Sequence, residues 1–223
     1  MKDSPAPETV FAALAQAIGG ASAAQAVQSI AATARCSGPR GAYTTELASL
    51  RGDRLQFTQR RAGRPPFTAL LIGAQGWAYD PTSAAYEPLD RQGIAMVRSH
   101  EFQMLPLVMA TRYRDLGAGW QQTFAGAECD VVAMTDELGY PCHAYFRQTD
   151  HLWAGMTMAD ARAPFQSKVQ VVVREWRWVG ALRLPCAITA SDSAGDYQLD
   201  FHTIALNTVD PAIFCVPAAR VAA

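Results

Sequence analysis

The sequence lacks any run of eighteen or more apolar residues, which excludes a membrane-spanning helix, since about twenty such residues are needed to cross a bilayer's hydrocarbon core. Its opening, MKDSPAPETV, lacks the apolar centre of a secretory signal. Such a polar, proline-containing lead fits a mature exported chain carrying a new start methionine. An excess of one charge is also missing: 19 Lys and Arg face 20 Asp and Glu, a formal net charge of -1. That balance supplies no positive field for nucleic acid or an anionic membrane surface, and neither is expected as a main partner.

Motifs that carry catalysis or bind metal are absent as well. The five cysteines, Cys36, Cys129, Cys142, Cys186 and Cys215, form no Cys-x-x-Cys pair, and an odd number leaves at least one thiol unpaired within a monomer. The histidines His100, His143, His151 and His202 are scattered, and neither His-Glu-x-x-His nor Gly-x-Ser-x-Gly occurs. Cys142 and His143 adjoin, yet neighbours on one strand point to opposite faces. No catalytic residue, metal ligand or cofactor is therefore assigned. Only 17% of residues are charged while 50% are hydrophobic, less charge than the usual ~25%, so some apolar surface is expected to serve something besides folding.

What is present reads as helices around a long meander. Val10, Phe11, Leu14, Ala17 and Ile18 recur at helical spacing until Gly19-Gly20 stops them. Ser22 with Gln25 forms a capping pattern for a second short helix carrying Val27, Ile30 and Ala31, which ends before Ser37-Gly38-Pro39. From Gly41 to about Leu89 turn signals come roughly every ten residues, the spacing of a meander or barrel. Leu55 and Phe57 alternate there with Gln56 and Thr58. Arg91 to Asp115 predicts a helix broken near Pro106, with Gly117-Ala118-Gly119 as its stop. Strands are then expected at Trp120 to Phe124, Cys129 to Thr135, Tyr140 to Arg147, His151 to Met156, Lys168 to Trp176, Leu182 to Thr189 and Tyr197 to Leu206. Strands and helices do not alternate as βαβ units, which argues against a doubly wound fold. One domain, 1–223, is expected, with 1–7 a flexible lead.

At Gly73-Ala74-Gln75-Gly76-Trp77-Ala78-Tyr79-Asp80-Pro81 the sequence resembles the periplasmic outer-membrane lipoprotein carriers, the LolA-like proteins, in which a hairpin leads into a Trp-x-Tyr-Asp-Pro strand. The helix end at Ala17-Ile18-Gly19-Gly20, the hairpin Val179 to Pro185, and the closing Leu206-Asn207 to Phe214-Cys215-Val216-Pro217 agree in texture. The resemblance implies an α+β fold: a curved, incomplete antiparallel β-barrel of about eleven strands, with N-terminal and internal helices covering the concave face. It implies a periplasmic location, an apolar interior that takes acyl chains, and no catalysis. In that family an arginine before a proline and a strand phenylalanine ties the lid helices shut. Arg64-Pro65-Pro66-Phe67 matches the motif, and Arg54 with Phe57 lies nearer the expected register.

An acyl-chain site needs flexible or aromatic walls, because each buried methylene contributes about 0.8 kcal/mol and the ligand's shape varies. The cavity candidates are Trp77, Tyr79, Phe102, Met104, Met109, Phe146, Trp153, Met156, Trp176 and Trp178, with Met96, Met134 and Met158 as further methionines. The basic cluster Arg51, Arg54, Arg60, Arg61, Arg64 suits a lipid phosphate, an acidic partner or simply a solvated hairpin face. The expected partner is a lipid or acylated protein. The alternative is a periplasmic protein-interaction or sensor module on the same fold, and a hydrolase built from distant residues ranks third.

Overall fold

The computed structural model describes residues 5–117, 119–160 and 166–215. Helices α1 (Pro7–Ala17) and α2 (Ala21–Ala26) lead into β1 (Ser29–Gly38), β2 (Gly41–Leu50), β3 (Arg54–Arg60), β4 (Phe67–Ile72), β5 (Gln75–Asp80) and β6 (Ala85–Pro88). Then come α3 (Arg91–Arg98) and α4 (Leu105–Arg112), followed by β7 (Arg114–Gly117), β8 (Gln121–Phe124), β9 (Ala127–Thr135), β10 (Pro141–Arg147), β11 (Trp153–Ala159), β12 (Lys168–Val179), β13 (Leu182–Asp192) and β14 (Gly195–Leu206). A 3-10 turn at Pro211–Phe214 ends the described chain.

The strands form one 14-stranded antiparallel sheet in the order β6-β5-β4-β3-β2-β1-β14-β13-β12-β11-β10-β9-β7, with β8 also on β9. Two meanders are thus welded through the first and last strands, β1 and β14, with Ile30 opposite Leu206 and Ser37 opposite Gln198. Among the described residues β6 and β7 do not pair, so the sheet is a trough and not a closed barrel.

Two departures from the sequence reading contribute to the larger strand number. Ile30 and Ala31 belong to β1, not to a helix. Alanine on both faces of this strand blurs its two-residue period. The sheet decides the conformation, since Ile30, Ala32, Ala34 and Cys36 face the core while both neighbouring strands take up the backbone hydrogen bonds. The expected Arg91–Asp115 helix is two helices and a strand. Pro106 falls in the first turn of α4, where its missing N–H does no harm, so the break precedes it, and Gly117 ends β7 and not that helix. Of the expected flexible lead, residues 1–4 lie outside the described residues, and Pro7 already begins α1.

Gly19 shows how α1 is docked. Its φ of 127° admits little but glycine, and a Cβ there would stand 2.2 Å from the Ala181 carbonyl oxygen. Beside it the Arg183 amide donates to the Ile18 carbonyl at 2.8 Å, fixing the helix end on the β12–β13 hairpin. Val10 and Leu14 then lie in the concave face with Ile30, Met104, Met109, Phe146, Trp153 and Ile188. A smaller core under α3 joins Leu47, Leu55, Phe57, Ala69, Leu71 and Val97. The convex face has its own cover, where Phe124 stacks on Tyr145 at 3.9 Å and 7°.

Candidate functional site

The helices α3 and α4 cross the trough from one edge strand to the other, and α3 is fastened to both sides. Asp90 caps its start, accepting from the Gly93 amide at 2.7 Å. Arg98, at its end, has a side chain only 6% exposed. It donates to Asp53 in the β2–β3 turn at 3.3 Å and to the Gly73 carbonyl in the β4–β5 turn at 2.8 Å, and it pairs with Glu137 in the β9–β10 turn at 3.0 Å. Arg91 adds a 2.6 Å bond to the Glu137 carbonyl. One helix therefore holds together turns from the two halves of the sheet.

Beneath this clasp lies a second, wholly interior contact: Arg112 donates to Glu101 at 2.6 Å, with both side chains buried. Burial pushes the Glu101 carboxyl above its ordinary range. Burial also pulls on Arg112, but the Glu101 carboxylate more than restores the guanidinium. At 2.6 Å the Arg112 guanidinium supplies the counter-charge that offsets part of the cost of burying Glu101.

The lid leaves a cavity of about 480 Å³ against the concave sheet, within the range of about 300–1,000 Å³ typical of small-molecule sites. Its walls are mainly Tyr43, Phe57, Phe102, Leu105, Tyr113, Met156, Met158, Val171 and Leu199. Of the ten sequence candidates, Phe102 and Met156 border it, as do the methionines Met96 and Met158. Met104, Met109, Phe146 and Trp153 sit in the solid core beneath α1 and α4, as does Met134. Phe146 meets the ring of Phe11 edge-on at 5.7 Å. Trp176 is partly buried and donates to the Trp153 carbonyl at 3.3 Å, while Trp178 is 62% exposed beside Arg183. Trp77 pairs with Leu70, opposite in facing to Leu71 of the inner core, so it and Tyr79 lie on the convex side.

The basic cluster divides. Arg51 donates to the Ala24 and Val27 carbonyls at the end of α2, Arg60 pairs with Glu46 at 3.1 Å, and Arg61 borders the cavity over Tyr43. Arg54 and Arg64 are exposed, and among the described residues no ion pair ties either to the lid, where Arg98 and Arg112 make the ion pairs. Phe57 was legible as an inward strand residue. The lid pairs Arg98, Arg112 and Glu101 had no signal, because their partners come from turns distant in sequence.

Ser99 and His100 border the cavity, and both side chains are engaged with the Met96 carbonyl, at 2.7 and 3.0 Å. Cys142 faces the core, its thiol pushed up to about 12 by burial, whereas His143 points outward against Trp120, ring centres 4.9 Å apart. Among the described residues no group of three or more His, Cys, Asp or Glu could hold a metal ion. Among the described residues no helix is long and apolar enough to cross a membrane.

His100 borders the cavity with its ring 4.5 Å from that of Phe57 and Nδ1–H donating to the Met96 carbonyl at 3.0 Å. Burial lowers its pKa. The unfolded chain therefore takes up this proton first: the stability His100 contributes is complete above about pH 6.5 and is lost as pH falls through the folded value. Urea unfolding between pH 7 and 5 should show a falling stability, by at most about 1.4 kcal/mol per pH unit from this group. His100→Gln is expected to flatten that slope, and an unchanged slope would refute the assignment.

An open antiparallel trough closed over its concave face by helices defines a class of half-barrel folds. No protein-family model matches the chain, and no curated protein matches it in sequence. Solved structures do match. A LolA superfamily protein from Nitrosomonas europaea superposes with a TM-score of 0.65 at 12% identity, covering 95% of this chain and 98% of that one. A DUF1329 family protein from Desulfovibrio piger gives 0.61 at 12% identity, with 95% and 98% covered. An outer membrane lipoprotein-sorting protein domain from Vibrio parahaemolyticus gives 0.55 at 12%, with 83% and 88% covered. The fold is LolA-like.

Proposed function

We propose that this protein is a periplasmic binding or carrier protein for the acyl chain of a lipid or lipoprotein. The observation that carries the reading is the cavity of about 480 Å³, walled by methionine, aromatic and aliphatic side chains and roofed by a helix that arginines hold in place. A LolA-like fold supports it. Cargo would exchange helix-to-wall contacts for acyl-to-wall contacts, and because closing contacts must be surrendered on loading, net affinity stays moderate and release stays feasible.

Native mass spectrometry of the purified protein, with displacement of a fluorescent fatty acid, tests the reading. Bound acyl species or saturable displacement is expected. Protein that is consistently empty and takes up no fluorescent fatty acid would overturn it. The clasp makes a separate prediction. In Arg98→Met, amide exchange across residues 91–112 should quicken about tenfold or more while β12 and β13 stay protected, because only the lid loses its ties. Uniform exchange in both regions would show that Arg98 does not hold the lid.

A further inference from the structure

The chemistry of the cavity border narrows the ligand further, given the acyl-binding reading. Charges of both signs face the cavity, but most are already engaged. Arg98 and Arg112 hold Asp53, Glu137 and Glu101. Asp136 accepts the Leu138 and Tyr140 amides at 2.9 and 2.8 Å, and Asp160 accepts the Ser167 and Ser193 hydroxyls at 3.2 and 2.9 Å.

Arg61 differs. Its Nε, like those of Arg98 and Arg112, is buried without a hydrogen-bond partner, but among the described residues no carboxylate lies within ion-pair distance of Arg61 as Asp53, Glu137 and Glu101 do of those two; Arg40, also at the border, is exposed. The Arg61 guanidinium carbon sits 5.2 Å from the centre of the Tyr43 ring, a wall of the cavity. A guanidinium nitrogen buried without an acceptor gains when an anion supplies one. The space itself is small: 480 Å³ holds roughly sixteen groups the size of a water, at about 30 Å³ each. That is the bulk of one acyl chain.

We propose that the cavity takes a single-chain amphiphile with an anionic head, a carboxylate or a phosphate, and that Arg61 holds the head. The chain lies along Phe57, Phe102 and Met156, and the head replaces the missing acceptor.

Calorimetric titration with myristate, 1-myristoyl lysophosphatidate and myristyl alcohol tests this on the wild type, Arg61→Met and Arg61→Lys. Binding of an anion about tenfold tighter than the alcohol is expected in the wild type. Arg61→Met should erase the margin and leave alcohol affinity unchanged, which also shows that the variant folds; Arg61→Lys should keep part of it. A margin for myristate alone identifies a free fatty acid, and one for lysophosphatidate alone a lipid phosphate. Equal affinity for acid, phosphate and alcohol, or a margin surviving in Arg61→Met, overturns the head-group proposal and leaves the acyl reading intact. Failure of all three to bind overturns both.

Discussion

Replacing Glu101 by glutamine is expected to lower stability by about 3–5 kcal/mol, because it strands the buried Arg112 guanidinium without its counter-charge. Glu101 is 2% exposed and the Arg112 side chain 9%, so water cannot take over. Asp53 is the nearest substitute, at 3.9 Å, and its side chain is 60% exposed. A loss of this size is a large share of a typical domain's total of roughly 5–15 kcal/mol. The double variant Glu101→Leu with Arg112→Met removes both charges and should be destabilised less than either single change. Urea unfolding of Glu101→Leu, Arg112→Met and the double variant gives the comparison. Additive losses would mean that the two side chains do not act as a pair.

Gly155→Ala should be nearly as damaging. Gly155 lies within β11, opposite Tyr145 on one side and Val172 on the other. Its φ of 151° already disfavours a side chain, and a Cβ would stand 2.0 Å from the Val171 carbonyl oxygen and 2.8 Å from the Phe124 ring. Phe124, stacked on Tyr145, occupies the room a side chain would need. Backbone strain of about 1–3 kcal/mol adds to the displacement of a ladder carbonyl, so a loss of about 3 kcal/mol or more is expected, or roughly 6–12 °C in Tm for a chain of this size. Because Met156 follows directly and borders the cavity, ligand affinity should fall with it. A variant within about 1 kcal/mol of wild type would show that β11 and β12 are not paired in this register.

The architecture was legible where local chemistry and tertiary demand agreed. The first helix, its glycine stop, and the strands after Trp120 follow from apolar spacing and turn residues that the sheet also requires. It was illegible where alanine served both periods, as in β1, and where a short strand followed a helix without a glycine between, as in β7. The site was harder to read. Size and softness nominated the largest side chains, but bulk alone does not tell which side of a sheet a residue occupies. Trp153 and Phe146 fill the packed floor and Trp178 meets solvent, while smaller wall residues such as Val171 and Leu199 carried no mark of their own. Arg61 stood within a recognised run of arginines, yet only three-dimensional pairing separates it from Arg60, whose partner is on the adjacent strand.

The covering helices run on into β6 at one end and β7 at the other, the two unpaired borders of the sheet. A cover anchored at a single hinge can swing free, but a span fixed at both banks cannot. Its excursion is limited by the spread of the borders, so admitting a bulkier guest requires those margins to move apart, and whatever grips either margin from outside would thereby set how wide the entrance becomes.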